Sequence, residues 1–249
     1  MSERAEAAPQ DGQPVEAPAP LEIFGIPGCP EFVAGDDLGG ILAGLAEFRT
    51  GDVVVVTQKV VSKVEDQLVA IDPSDPTAHR PLVEAEAVRV LRRRGDLAIT
   101  ETKHGFVCAN AGIDLSNVAA GTAALLPEDS DRSARRIRDR IRGVTGVEVA
   151  VVVSDTFGRP WRRGVTDVAI GSAGIRPVVD LRGTNDALGR ELAVTEVAVV
   201  DEIAAAAELV MGKAAAIPAA VVRGVDPGWF GNGSVKNDLI REPADDLFR

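Results

Sequence analysis

The stretch VEVAVVVSDTFGRPWRRG, Val147 to Gly164, drives a fully apolar strand straight into a polar cluster, and no other feature limits the fold of this chain as much. A continuous Val/Ala run bounded by a turn reads as a strand buried on both faces, and ligands of open α/β sheets gather beyond the carboxyl ends of such strands. Asp155 and Thr156 are thereby placed at a strand end. Gly158 then lets the backbone approach a ligand closely. Arg159, Trp161, Arg162 and Arg163 follow, a dense set of groups that read phosphate or carboxylate. The plainer reading is a capped turn with solvated arginines, since Asp-Thr after a strand is also a common N-cap.

Two further segments repeat the arrangement. GFVCANAGIDLSNV, Gly105 to Val118, is small and apolar, yet delivers Asn110, Asp114, Ser116 and Asn117 within one short span. Asp114, Asp155 and the Thr156 hydroxyl are hard oxygen donors of the kind Mg²⁺ or Mn²⁺ prefers; an Asx-type turn at Asp114 and Asn117 is the competing local use. GDVVVVTQKVVSKVED, Gly51 to Asp66, runs through another Val strand and then carries Thr57, Gln58, Lys59, Ser62 and Lys63. If the chain turns helical there, Lys59 and Lys63 fall on one face, suited to a polyphosphate or simply to solvent.

CPEF at Cys29 to Phe32, VVTQKVVSK at Val55 to Lys63, GIDLSNV at Gly112 to Val118 and SDTFGRPWRRG at Ser154 to Gly164 occur in one order. Together they resemble the coenzyme F420:L-glutamate ligase family. The resemblance continues through Glu191 to Lys213 and Ala220 to Gly224, and so spans the chain from about Leu21 onward. It implies an enzyme that uses GTP and a divalent metal to join L-glutamate, through its amine, to the carboxylate end of the deazaflavin coenzyme F420 precursor, with γ-linked extension of the tail. It also implies two lobes and an intertwined homodimer.

Carried onto this chain, the resemblance implies that Asp114, Asp155 and Thr156 bind Mg²⁺ or Mn²⁺. It implies that Cys29, Pro30, Glu31, Phe32, Gln58, Lys63 and Asn117 contact GTP, and it leaves open whether K⁺ assists. Met211, Gly212 and Lys213 match a further nucleotide-binding stretch; a protonated lysine is no metal ligand, so Lys213 is expected to face phosphate or solvent. Asp155 is the expected centre of the chemistry, and the placement of Arg159 and Arg162 after it suggests that they hold a substrate carboxylate or phosphodiester. Two rival readings stand: a phosphoribosyltransferase-like enzyme, because a strand ending in Asp-Thr and Gly suits a ribose-phosphate loop, and a non-catalytic carrier that binds GTP or a deazaflavin.

Composition restricts the surroundings. The 249 residues are 45% hydrophobic and only 4% aromatic, so the core is aliphatic. A formal net charge of −11 argues against nonspecific binding to nucleic acid or an acidic membrane surface. No run of about 18 apolar residues and no charged-then-apolar leader occurs, so a membrane span is not expected and a cytoplasmic location is. Cys29 and Cys108 are the only cysteines, which fits a reducing compartment, and no His/Cys spacing suggests zinc.

The expected fold is mixed α/β (α+β): a mixed sheet with helices, in two lobes, with no Walker-type P-loop in the sequence. Residues 1–20, rich in Pro, Ala and acids, read as a disordered tail ahead of a ligase domain over 21–249. Strands are expected near 21–26, 52–58, 67–72, 97–101, 147–154, 176–182 and 219–223. Helices are expected over Leu82 to Arg94, with a basic C-terminal end, over Arg132 to Arg142, and over Glu196 to Gly212 with a glycine stop. His79 is expected in a surface loop. Asp246-Leu247-Phe248 resembles the place where some relatives continue into a flavin-binding domain.

Overall fold

Four consecutive valines, Val53 to Val56, and the run Ala150 to Val153 are buried on both faces, which makes them the centre of the fold. In the computed structural model, which describes residues 20–247, they form β2 (Val53–Thr57) and β8 (Ala150–Gly158), paired in parallel from Val53 opposite Ala150 to Thr57 opposite Ser154. β12 (Ala219–Arg223) and then β1 (Glu22–Gly25) add antiparallel on one side, and β9 (Val165–Ala173) adds antiparallel on the other. The sheet order is β1-β12-β2-β8-β9. A mixed sheet of this kind, with helices on both faces, is the α+β architecture expected from the sequence.

Alternation along the strands sends Val54, Val56, Val151 and Val153 to one face, where α1 (Leu38–Leu45) contributes Leu38 and Leu42 and α4 (Ser130–Thr145) contributes Ile137 and Ile141. Val53, Val55, Ala150 and Val152 meet Val200, Ile203, Ala204, Ala207 and Met211 of α5 (Val199–Met211) on the other. Both helix expectations in this region hold: α4 carries the arginine-rich segment, and α5 ends at Gly212, whose φ is +60°. Asp131, in the first turn of α4, is buried and accepts backbone N–H groups from Ser172, Val235 and Lys236 at 2.8, 2.9 and 3.1 Å.

α2 (Gln58–Val64) follows β2 directly, so Lys59 and Lys63 do share a helix. β3 (Leu68–Ala70) pairs with β7 (Thr122–Ala124). α3 (Arg80–Glu86) and a separate three-stranded antiparallel sheet of β4 (Ala87–Arg94), β5 (Leu97–Thr102) and β6 (Val107–Ala109) surround a small core of Val83, Ala98 and Ala111. β10 (Val179–Asp180) and β11 (Glu196–Val197) form a short two-stranded ribbon ahead of α5.

Several expectations need correction. The helix expected over Leu82 to Arg94 ends at Glu86, and its arginine-rich half is β4. Gly95-Asp96 is a two-residue turn between β4 and β5, with Arg94 opposite Leu97, so tertiary pairing overrides the helical spacing. The strand expected over 176–182 shrinks to β10, whereas β9 was not anticipated. His79 is buried, at 8% exposure, not a surface loop residue. The tail expected over 1–20 falls, through residue 19, outside the described residues. Among the described residues, no helix is long and apolar enough to cross a membrane.

Candidate active site

β2 ends opposite Ser154, but β8 does not stop there: it continues to Gly158 as a two-stranded ribbon with β9. Asp155 and Thr156 therefore lie beyond the carboxyl end of the parallel pair, yet inside a strand. A register shift between Val153 and Ser154 marks the change. Side chains one apart on a strand point to opposite faces, and here Ser154, Thr156 and Asp167 share one face while Asp155 takes the other.

Asp114 reaches the Asp155 face from a strained turn. Asn110, Ala111 and Gly112 all have left-handed backbone, at φ of 48°, 55° and 72°, a conformation that costs ordinary residues on the order of 1 kcal/mol each. The turn is held by bonds from the Ala98 N–H to Asn110 Oδ1 at 2.8 Å and from the Ala111 N–H to Thr100 Oγ1 at 2.9 Å. Leu126 packs so close to Gly112 that a Cβ there would sit 2.8 Å from it. Two bridging bonds with Ala124, at 3.0 and 2.8 Å, then fix Asp114.

Lys59 Nζ bonds Asp114 Oδ2 at 2.7 Å and Ser116 Oγ at 3.0 Å. Burial alone would raise the pKa of Asp114, but Lys59 and the Ser116 N–H outweigh it and lower the pKa. Asp155 goes the other way. Burial first, then the charges of Asp114 and Asp167, raise it to about 7 against the opposing Thr156 N–H and Lys59. The two aspartates, 41 positions apart in sequence, thus sense one another, and Asp155 sits in a place short of positive charge. Buried Cys108 is pushed up to about 12, by burial and then by the Asp155 charge, which keeps it a thiol.

On the opposite face, Thr156 Oγ1 donates to Asp167 Oδ1 at 2.7 Å and Ser154 Oγ donates to Asp167 Oδ2 at 3.0 Å. Lys213 Nζ donates to Thr156 Oγ1 at 2.5 Å, and meets Asp167 and Glu208 at 2.8 Å each. Burial would lower the Lys213 pKa, but these carboxylates raise it, so it stays an ammonium. Lys213 faces this acidic pair on the same side as Thr156. Met211 beside it is fully buried in the core, and Gly212 caps α5.

The remaining expected contacts separate. Glu31 forms an ion pair with Lys63, joining the Cys29–Phe32 loop to α2. Phe32 is buried in the core, Cys29 packs against it, and Pro30 is exposed. Gln58 is buried, and its Nε2 donates to Ser62 Oγ at 2.8 Å and Leu125 O at 2.9 Å, so those donors serve the fold. Asn117 is exposed, with φ of 52°. Arg159 and Arg162 stand at the exposed tip of the β8–β9 hairpin. Asp167 and Glu208 escaped the sequence reading. An acid inside VTDVAIGSA was the available signal for Asp167, but it shows only once that segment is read as a strand.

The donor set suits a hard divalent cation: two carboxylates on one face of the ribbon, and Thr156 with Asp167 on the other. Thr156 Oγ1 is taken up by Asp167 and Lys213, whereas Asp155 lies on the side of Asp114. Among the described residues, no group of three or more His, Cys, Asp or Glu side chains forms a ready-made metal cage. An ion here would have few protein ligands and keep positions for water and phosphate, as Mg²⁺ does.

Fold and site together define an α+β enzyme, and the comparisons specify a ligase. A family model described as F420-0:Gamma-glutamyl ligase matches residues 28–224, and the chain belongs to that family. It is 43% identical over 232 residues to the coenzyme F420:L-glutamate ligase of Methanopyrus kandleri, covering 86% of this chain and 92% of the relative. Identity to the proteins of the same name from Methanothermobacter thermautotrophicus and Methanocaldococcus jannaschii is 41% over 249 residues and 39% over 245 residues. Each alignment covers 92% of this chain, and 99% and 97% of those relatives.

Proposed function

We propose that this enzyme joins L-glutamate, through its amine, to the carboxylate end of the coenzyme F420 precursor, at the expense of GTP and with a divalent metal, and then extends the tail through γ-linkages. The observation that carries the reading is the approach of Asp114 and Asp155, from distant segments, beside Lys59. A carboxylate is a poor electrophile, so activation comes first. An oxygen of the acceptor carboxylate takes the γ-phosphoryl group, GDP leaves, and the acyl phosphate formed is attacked at carbon by the glutamate amine with release of inorganic phosphate.

Asp114 and Asp155 would hold the Mg²⁺ or Mn²⁺, with Thr156 serving a separate position across the ribbon, and K⁺ a further candidate there. Such an ion neutralises charge on the transferring phosphoryl group. Lys59, Lys63 and Lys213 each now answer a carboxylate. A bound triphosphate would compete for those ammonium groups, which is how the Cys29–Phe32 loop and the Met211–Lys213 end of α5 would come to read it. Arg159 and Arg162 would orient the acceptor's anionic end. The free cysteines suit a reducing cytoplasm.

Purified protein with GTP, Mn²⁺, L-glutamate and acceptor should yield product heavier by one glutamyl residue, with GDP, by mass spectrometry. Asp155→Asn should lower turnover on the order of 100-fold or more. Binding of GTP or acceptor with no product would make the protein a carrier, and turnover of pyrophosphorylated ribose with a base would make it a phosphoribosyltransferase.

A further inference from the structure

The chain has seven phenylalanines and no tyrosine, yet two of the seven, Phe106 and Phe157, meet beside Asp155, and both are only half-buried. Their rings lie 6.0 Å apart at 76°, an edge-to-face pair. His104 stacks on Phe106 at 6.1 Å and 23°. Phe157 stands two residues after Asp155 on the same face of the ribbon, and Val168 is paired directly opposite Asp155. Phe106, Phe157 and Val168 line a cavity of about 270 Å³, together with Asp201 of α5 and with Leu239 and Ile240 of the C-terminal segment.

The walls of this cavity are fixed. Ile240 packs so near Gly105 that a Cβ there would lie 3.3 Å from it, and the same segment is tied down where Val235 and Lys236 donate their N–H groups to buried Asp131. Ligand cavities run from roughly 300 to 1,000 Å³, so this one has room for a single ring system and not for a whole acceptor. Asp201 sets the polarity. Its Oδ1 accepts the Ala169 N–H at 2.8 Å, and its Oδ2 has no hydrogen-bond partner among the described residues. A carboxylate in an apolar wall turns away phosphate and carboxylate groups and accepts from a ring N–H. No lining residue belongs to the Cys29–Phe32 loop, to α2 or to the Met211–Lys213 end of α5, so the cavity stands apart from the segments expected to read GTP.

We infer that this cavity receives the planar deazaflavin ring of the acceptor, with its face against one of the two phenylalanine rings, its edge against the other, and a ring N–H donated to Asp201 Oδ2. The inference rests on the ligase reading given above and assigns the acceptor's ring a subsite. The ring and the reacting carboxylate lie at opposite ends of that molecule. Phe157 and Val168 adjoin Asp155, so the linker leaves the cavity along the ribbon, about 7 Å from Phe157 to Asp155, and brings the carboxylate to the aspartates. Contacts made to the ring are the same before and during the reaction, so they act on KM and not on kcat.

An N-alkyl deazaflavin that keeps the ring N–H but lacks phosphate and carboxylate isolates this subsite. Followed by its own fluorescence anisotropy, it should bind the wild-type enzyme saturably and be displaced by acceptor, but not by GTP or L-glutamate. Phe157→Leu and Phe106→Leu should each weaken its binding on the order of tenfold, and Asp201→Asn, which keeps an oxygen for the Ala169 N–H, by a similar factor. In the ligation assay the same variants should raise the acceptor KM by that factor, with kcat and the KM values for GTP and glutamate within about twofold. A role in folding alone would lower the melting temperature and kcat and leave the probe's affinity for the folded fraction unchanged. No binding of the probe, its displacement by GTP, or unchanged probe affinity in the folded variants overturns the inference, and the wild-type displacement result stands whatever a substitution does to folding. If the wild type ligates nothing yet binds the probe through Phe157, the ring subsite holds and the ligase reading alone falls. If it ligates with unchanged acceptor KM in Phe157→Leu and Phe106→Leu, the ring subsite alone falls.

Discussion

Asp155 in the ligand-free protein resists ionisation because it is partly buried and because Asp114 and Asp167 are already negative; together these raise its pKa from 3.8 to about 7. The fold thus favours its protonated form. That contribution is complete below about pH 4 and is lost as pH rises through about 7. In chelator-treated protein, Asp155→Asn should match the wild type at pH 4 and exceed it at pH 8.5, on the order of 2 kcal/mol once partial exposure is discounted. Thermal melts at the two pH values measure this, and equal stabilities at both would refute it. Added Mn²⁺ should stabilise the wild type at pH 8.5 and leave Asp155→Asn unmoved. Asp131 is the opposite kind of carboxylate, with three backbone N–H groups aimed at it. Asp131→Ala strands those donors, and urea denaturation should show a loss of about 3 kcal/mol or more.

At the scale of elements, one contact fixes how α4 crosses the sheet. A Cβ on Gly171 of β9 would lie 2.3 Å from the Ser130 carbonyl carbon, which is backbone and unable to turn aside. Gly171→Ala should destabilise the fold by about 3 kcal/mol; a denaturation midpoint equal to that of the wild type would mean the helix is free to shift. This closeness is invisible in sequence, where Gly171 is one glycine among 25. What could be read was the pairing of apolar strands with polar residues just after them: β2 led to Lys59 and Lys63, and β8 led to Asp155. Asp114 was legible as an acid in a span of small residues. Asp167 was not, because β9 forms only by pairing with the overrun of β8, so nothing local marks it as a strand. The helical spacing of Leu82 to Arg94 misled for a related reason. Gly95-Asp96 allows a tight turn, and pairing with β5 then draws the arginine-rich half into β4, a long-range gain that local periodicity does not contain.

For the whole molecule, the strand that broke the helical pattern is also the one most in need of a partner. Every residue of β4 from Val88 to Arg94 is exposed, including Val88 at 69%, Val90 at 39% and Leu91 at 38%, while Leu97 and Val107 of the same small sheet stand at 45% and 44%. Among the described residues no strand pairs with the outer edge of β4 and the core beneath it holds Val83, Ala98 and Ala111; a strand so exposed is suited to association. Arg92 and Arg94 meet no carboxylate among the described residues, so the strand presents positive charge to a chain whose total is −11. A second copy of the same chain answers both needs, which is the basis for proposing a homodimer. Sedimentation should find the wild-type protein dimeric at micromolar concentration, and Val88→Asp with Leu91→Asp should shift it to monomer with an unchanged circular dichroism spectrum, since both side chains leave the monomer's own core intact. A wild-type monomer at every concentration, or a double variant that stays dimeric, would show that this sheet is covered by something other than its twin.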